Sequence, residues 1–135
     1  MEPQDQERID RNLHQLKMLW LGFATSPPFS ALVLLLVLPA GPAGGMPLFT
    51  AVGLLTSLLC VPMAARFRRA LYAYCSGRVV EPVALQRALI FGAMTAEIPM
   101  LIGIAQYALR PNTPALLLLC AASFALSLMF LPRKR

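Results

Sequence analysis

The stretch Val83–Leu109 reads VALQRALIFGAMTAEIPMLIGIAQYAL, an almost unbroken apolar run whose charges are Arg87 near its start and Glu97 near its middle. A run of this length meets the requirement for crossing a hydrocarbon core roughly 30 Å thick, about 20 mostly apolar residues in a helix. Three further runs have the same character, at about 16–38, 47–65 and 114–131. Hydrophobic residues make up 58% of the chain and the mean hydropathy is +0.65, well above the roughly half apolar usage of a soluble domain. The expectation is an all-α, polytopic membrane protein with four transmembrane helices in two hairpins. A tail (1–15) precedes this domain (16–131), and a basic terminus (132–135) follows it.

The charges orient these spans. Of the 12 basic residues, only Arg110 falls in a connection on one side. Arg8, Arg11 and Lys17 precede the first span, Arg66, Arg68, Arg69, Arg78 and Arg87 flank the middle connection, and Arg133, Lys134 and Arg135 follow the last. By the positive-inside rule, tail, middle loop and C-terminus are cytoplasmic, and a multi-pass protein of a bacterial inner membrane is expected. The opening Met-Glu-Pro-Gln-Asp-Gln lacks the basic start of a secretory signal, so no cleavage is expected. The net charge of +6 is thus accounted for by topology. No nucleic-acid partner is expected.

Local signals divide the chain further. Ile9, Leu13, Leu16 and Trp20 form an apolar stripe at helical spacing, which either lies along the membrane surface or begins the first span. Pro27-Pro28 removes two amide donors inside that span and predicts a bend. The breaker-rich segment from Pro39 to Pro47 predicts a tight external turn, and Arg110-Pro-Asn-Thr-Pro114 another. The second helix can continue through Arg66–Cys75 until Ser76-Gly77 stops it, with Pro82 opening the third. Arg66, Arg68, Arg69 and Arg78 are candidate contacts for anionic lipid headgroups or for a partner subunit. Offset by 70 residues, Leu19, Gly22 and Thr25 align with Leu89, Gly92 and Thr95, which suggests a duplicated hairpin with Pro27 in the place of Glu97.

Five of the six acidic residues, Glu2, Asp5, Glu7, Asp10 and Glu81, lie in the tail or the cytoplasmic loop. Glu97 stands alone in a span, where a charge costs about 2.5–3.5 kcal/mol on insertion scales. Desolvation favours the neutral carboxyl, which can carry a proton or bind a small cation. Pro99 takes the amide donor from the Thr95 carbonyl, and loosened backbone beside an ionisable group is a feature of ion sites. At about 100° per residue, Gly92, Thr95, Ala96, Pro99, Gly103 and Gln106 gather on one half of the helix. The small residues Gly92, Ala96 and Gly103 form a packing face. Glu97 points away from it, toward a second interface, a cavity or lipid.

Residues Ala96–Ile104, AEIPMLIGI, resemble the ion-binding helix of the proteolipid family, the subunit c of rotary ATP synthases and ATPases. The resemblance implies a first helix, an arginine-containing cytoplasmic loop and a second helix with Glu97 as ion carrier. It further implies assembly as a homo-oligomer or with other membrane subunits. The second span departs from the family in having only Gly53 where a glycine run is usual. Two other readings stay open, a non-catalytic accessory subunit of a membrane complex and a small proton-coupled exporter. The one-way charge bias disfavours the exporter. Cys60, Cys75 and Cys120 lack paired spacing and His14 is solitary, so neither a metal site nor a cofactor is expected. One histidine and six acids assemble no catalytic arrangement, so the chain is not expected to be an enzyme.

Overall fold

The computed structural model describes residues 3–38 and 47–133. It contains four helices, α1 (Pro3–Val37), α2 (Pro47–Cys75), α3 (Pro82–Leu109) and α4 (Thr113–Met129), with no strand among the described residues. The first three are long and apolar enough to cross a membrane. The architecture is that of an all-helical membrane protein. With 17 residues, α4 rises only about 25 Å at 1.5 Å per residue, a little less than the hydrocarbon thickness. Helical geometry ends at Met129, so Phe130 and Leu131 lie beyond the helix.

Lipid-facing character is written on the surface. In α1 and α2 only 17% of the most apolar window is buried, against 39% in α3. Phe29, Leu36, Leu55, Leu58 and Phe91 are exposed. In water such an apolar surface would drive association; in a bilayer it is the ordinary outer face of a span. The interior belongs to α3 and α4, each of which contacts all three other helices. The expected first hairpin is therefore loose: α1 packs on α4 and α3, and meets α2 at the basic end, where Asn12 Nδ2 donates to the Tyr74 hydroxyl at 2.6 Å.

The described part of the tail, from Pro3, is helical. It forms the first turns of α1, and its stripe Ile9, Leu13 and Leu16 is buried with Phe67, Leu71 and Tyr74 of α2 and Leu85 and Leu89 of α3. The stripe's i, i+4, i+7 spacing would suit a membrane surface equally well. What decides is that α2 runs on past the apolar segment and offers a matching face. Trp20 belongs to the bundle as well: its indole nitrogen donates to the Ser127 carbonyl of α4 at 2.6 Å. Helix α1 runs through Pro27 and Pro28 without interruption of its helical assignment.

Helix ends follow local chemistry. Gly77 has φ 74°, and the Gly77 and Arg78 amides donate to the Tyr74 and Ala73 carbonyls. This is the double closure of a Schellman cap, which needs a left-handed residue that glycine adopts without strain. Pro82 begins α3, its missing N–H costing nothing in the first turn. Asn112 Oδ1 accepts from the Ala115 amide and caps α4. The 39–46 connection, expected as a tight turn, and the terminal pair 134–135 lie outside the described residues.

The 70-residue register does not carry over into packing. A Cβ on Gly22 would meet nothing within 4 Å, whereas one on Gly92 would collide with the Phe130 ring.

Candidate functional site

Three small residues set the rotation of α3. Gly92 lies under the Phe130 ring, a Cβ on Gly103 would approach the Leu119 Cβ to 3.1 Å, and Ala96 is fully enclosed. At each of the three a larger side chain would meet its neighbours, and small residues of this kind let helices approach closely. With that face committed to its neighbours, the opposite side of α3 turns toward α1. Glu97 lies there, half-buried.

Across the seam, Ser26 of α1 lies near the Glu97 carboxyl. The Ser26 hydroxyl lies 3.9 Å from the Met100 sulfur. Ser26 immediately precedes Pro27, which is buried, and Pro28. Prolines thus stand on both sides of this contact, with Pro99 buried in α3. Each proline removes one amide donor, so helix carbonyls near the carboxyl lose their usual partners. Farther along α1, Ala31 packs with Met100 and Tyr107 of α3 and Leu116 and Cys120 of α4, closing one end of the seam.

The backbone beyond Pro99 is tied to α4. The Met100 N–H donates to Ser123 Oγ at 2.9 Å, and Ser127 Oγ donates to the Ser123 carbonyl at 2.9 Å. Thr95 takes no direct part in the contact: its hydroxyl donates back to the Phe91 carbonyl at 2.8 Å. Its role is confined to the carbonyl that Pro99 leaves without a donor. Ser26 and Ser123 escaped the sequence reading. The available signal was a hydroxyl next to prolines in an apolar run, and a serine among leucines and alanines, neither of which names a partner.

A second polar spot sits farther along α3. Gln106 is 1% exposed; its Oε1 accepts from Thr50 Oγ1 of α2 at 3.2 Å, while its Nε2 has no partner among the described residues. An unmet amide donor in so dry a place is costly.

At the opposite end of the bundle the arginines converge. Arg68 Nε donates to the Met129 carbonyl at 3.1 Å, so α2 closes one of the open carbonyls at the end of α4. Arg68, Arg69 and Arg78 line one groove of about 1050 Å³, joined by Arg133. Arg66 is exposed outside that lining.

No protein-family model, curated protein or solved structure matches the chain.

Proposed function

We propose that this chain is a proteolipid-like, multi-pass subunit that oligomerises or joins a larger membrane complex, and that Glu97 binds a proton within it. The observation that carries the reading is a lone half-buried carboxyl, Glu97, lying near Ser26 across the α1–α3 seam, inside the apolar length of both helices. A hard cation wants several oxygen ligands at once. One carboxyl and one hydroxyl meet that need poorly, and they suit a proton well. The carboxyl is half-buried, so a neighbouring subunit packed there, with polar groups or water to relay a proton, can reach it.

In this reading all four helices cross the bilayer, with both ends and the α2–α3 connection in the cytoplasm. The asymmetric distribution of basic residues supports that orientation. Phe130 and Leu131, which continue the apolar sequence beyond α4, supply the depth that its 17 residues lack.

The competing reading uses the same contact: Glu97 and Ser26 only clamp α1 to α3 in an accessory subunit. Labelling by dicyclohexylcarbodiimide separates the two, because the reagent requires a protonated carboxyl that it can reach through the membrane. Glu97 is expected to label, with a yield that falls as pH is raised, and Glu97→Gln is expected to abolish the labelling without altering assembly. Absence of labelling between about pH 6 and pH 9 in folded protein would leave the clamp as the better account.

A further inference from the structure

We infer that the groove at the basic end is a binding site for one anionic phospholipid, its phosphate held among Arg68, Arg69, Arg78 and Arg133 and its chains directed along Leu128 and Leu131. The site is independent of Glu97. Three separate pieces of chain build it, the last turns of α2, the turn after it and the end of α4 with the residues that follow. The described residues that line it include no aspartate or glutamate; the carboxylate placed near one of its arginines is Asp5, which borders an adjoining pocket with Arg78. Guanidinium forks match phosphate oxygens in geometry and charge.

The apolar half of the lining selects a lipid over a soluble phosphate. Leu128 is exposed, and it lies in line with the exposed apolar residues Leu117 and Phe124 of the same helix. A groove with cationic walls that opens onto an apolar helix surface suits a molecule with an anionic head and hydrocarbon chains. Its volume, about 1050 Å³, is at the upper end of small-molecule sites and admits a headgroup with the first part of its chains. Trp20 is bonded to the Ser127 carbonyl, next to Leu128. Trp20, the one tryptophan of the chain, thus reports on the α4 segment that carries Leu128.

The test uses the full chain in a neutral detergent, titrated with phosphatidylglycerol, with phosphatidylcholine of the same chains, and with glycerol phosphate. Bound lipid is counted by native mass spectrometry and Trp20 emission is followed in parallel. Phosphatidylglycerol is expected to bind at least about tenfold more tightly than phosphatidylcholine. The double variant Arg69→Gln/Arg78→Gln is expected to lose about 30-fold, roughly fivefold for each arginine near an anionic headgroup. Arg68 is left in place because it also holds the end of α4. Arg87→Gln/Arg110→Gln, which removes the same charge outside the groove, is expected to bind as the parent does. Equal affinity for the two lipids overturns the proposal. So does unchanged binding by a folded Arg69→Gln/Arg78→Gln variant, or an equal loss in the control variant. Glycerol phosphate binding as tightly as the lipid would make this a soluble-phosphate site instead.

Discussion

The two faces of α3 are built by opposite rules. One carries Gly92, Ala96 and Gly103 and is closed against the Phe130 and Leu119 side chains, with no room for an added methyl group at Gly92. The other carries Glu97 and Leu101, lies near Ser26 of α1, and stays partly open. The closed face fixes the helix in rotation and depth. In the proposed reading, the open one holds a carboxyl at a seam where a proton can come and go. Rigid packing on one side is what allows an incompletely enclosed group on the other to keep its position.

This contrast can be broken most severely at Gly92. Gly92→Leu drives a side chain into the Phe130 ring and is expected to cost about 3 kcal/mol or more, the upper end for overpacking, seen as loss of cooperative thermal unfolding in detergent. Phe130→Ala in the same chain removes the obstruction and should restore part of that loss, which a general effect of leucine at this position would not allow. A smaller effect is expected at Ser123. Removing its hydroxyl leaves the Met100 N–H without its partner on α4, and Ser123→Ala should lower stability by about 0.6–1.7 kcal/mol, the range of hydrogen bonds between membrane helices. The smallest effect belongs to Gly22, the counterpart of Gly92 in the 70-residue register. With nothing within 4 Å of an added Cβ, Gly22→Ala should raise the unfolding midpoint slightly, by up to about 1 kcal/mol of helix propensity. A destabilising result there would mean that Gly22 packs against something, such as a second copy of the chain.

Much of the fold was legible because membrane helices announce themselves by apolar length, and their ends by residues such as Gly77, Pro82 and Asn112. The close-packed face of α3 was also legible, since glycine and alanine at helical spacing have one common use in a membrane. Partners between helices were not. Gly92 showed that something approaches α3 closely, but nothing in the sequence named Phe130, which lies just past the end of α4. The tail stripe was ambiguous for the same reason: Ile9, Leu13 and Leu16 define an apolar face, and only the extension of α2 through Phe67, Leu71 and Tyr74 supplies what covers it.

The candidate site was half legible. A lone carboxyl in an apolar run identifies Glu97 without any structure, because its cost in the bilayer demands an explanation. Ser26 could not be identified, since a serine in a membrane helix usually bonds its own backbone and the α1–α3 register is not written in either helix alone. The arginines were legible as a set. Their arrangement was not, because it depends on the end of α4 bringing Arg133 and Leu128 beside Arg68, and it leaves Arg66 out.

The central claim is that Glu97 is a carboxyl that exchanges a proton inside the membrane domain. Infrared spectroscopy of the full chain in lipid, with glutamate labelled at the carboxyl carbon, reads that state directly. A neutral-carboxyl stretching band is expected, one that declines as pH is raised between about pH 6 and pH 9 and is absent from Glu97→Gln. A parent spectrum with no such band across that range, or a band that Glu97→Gln leaves unchanged, would contradict it.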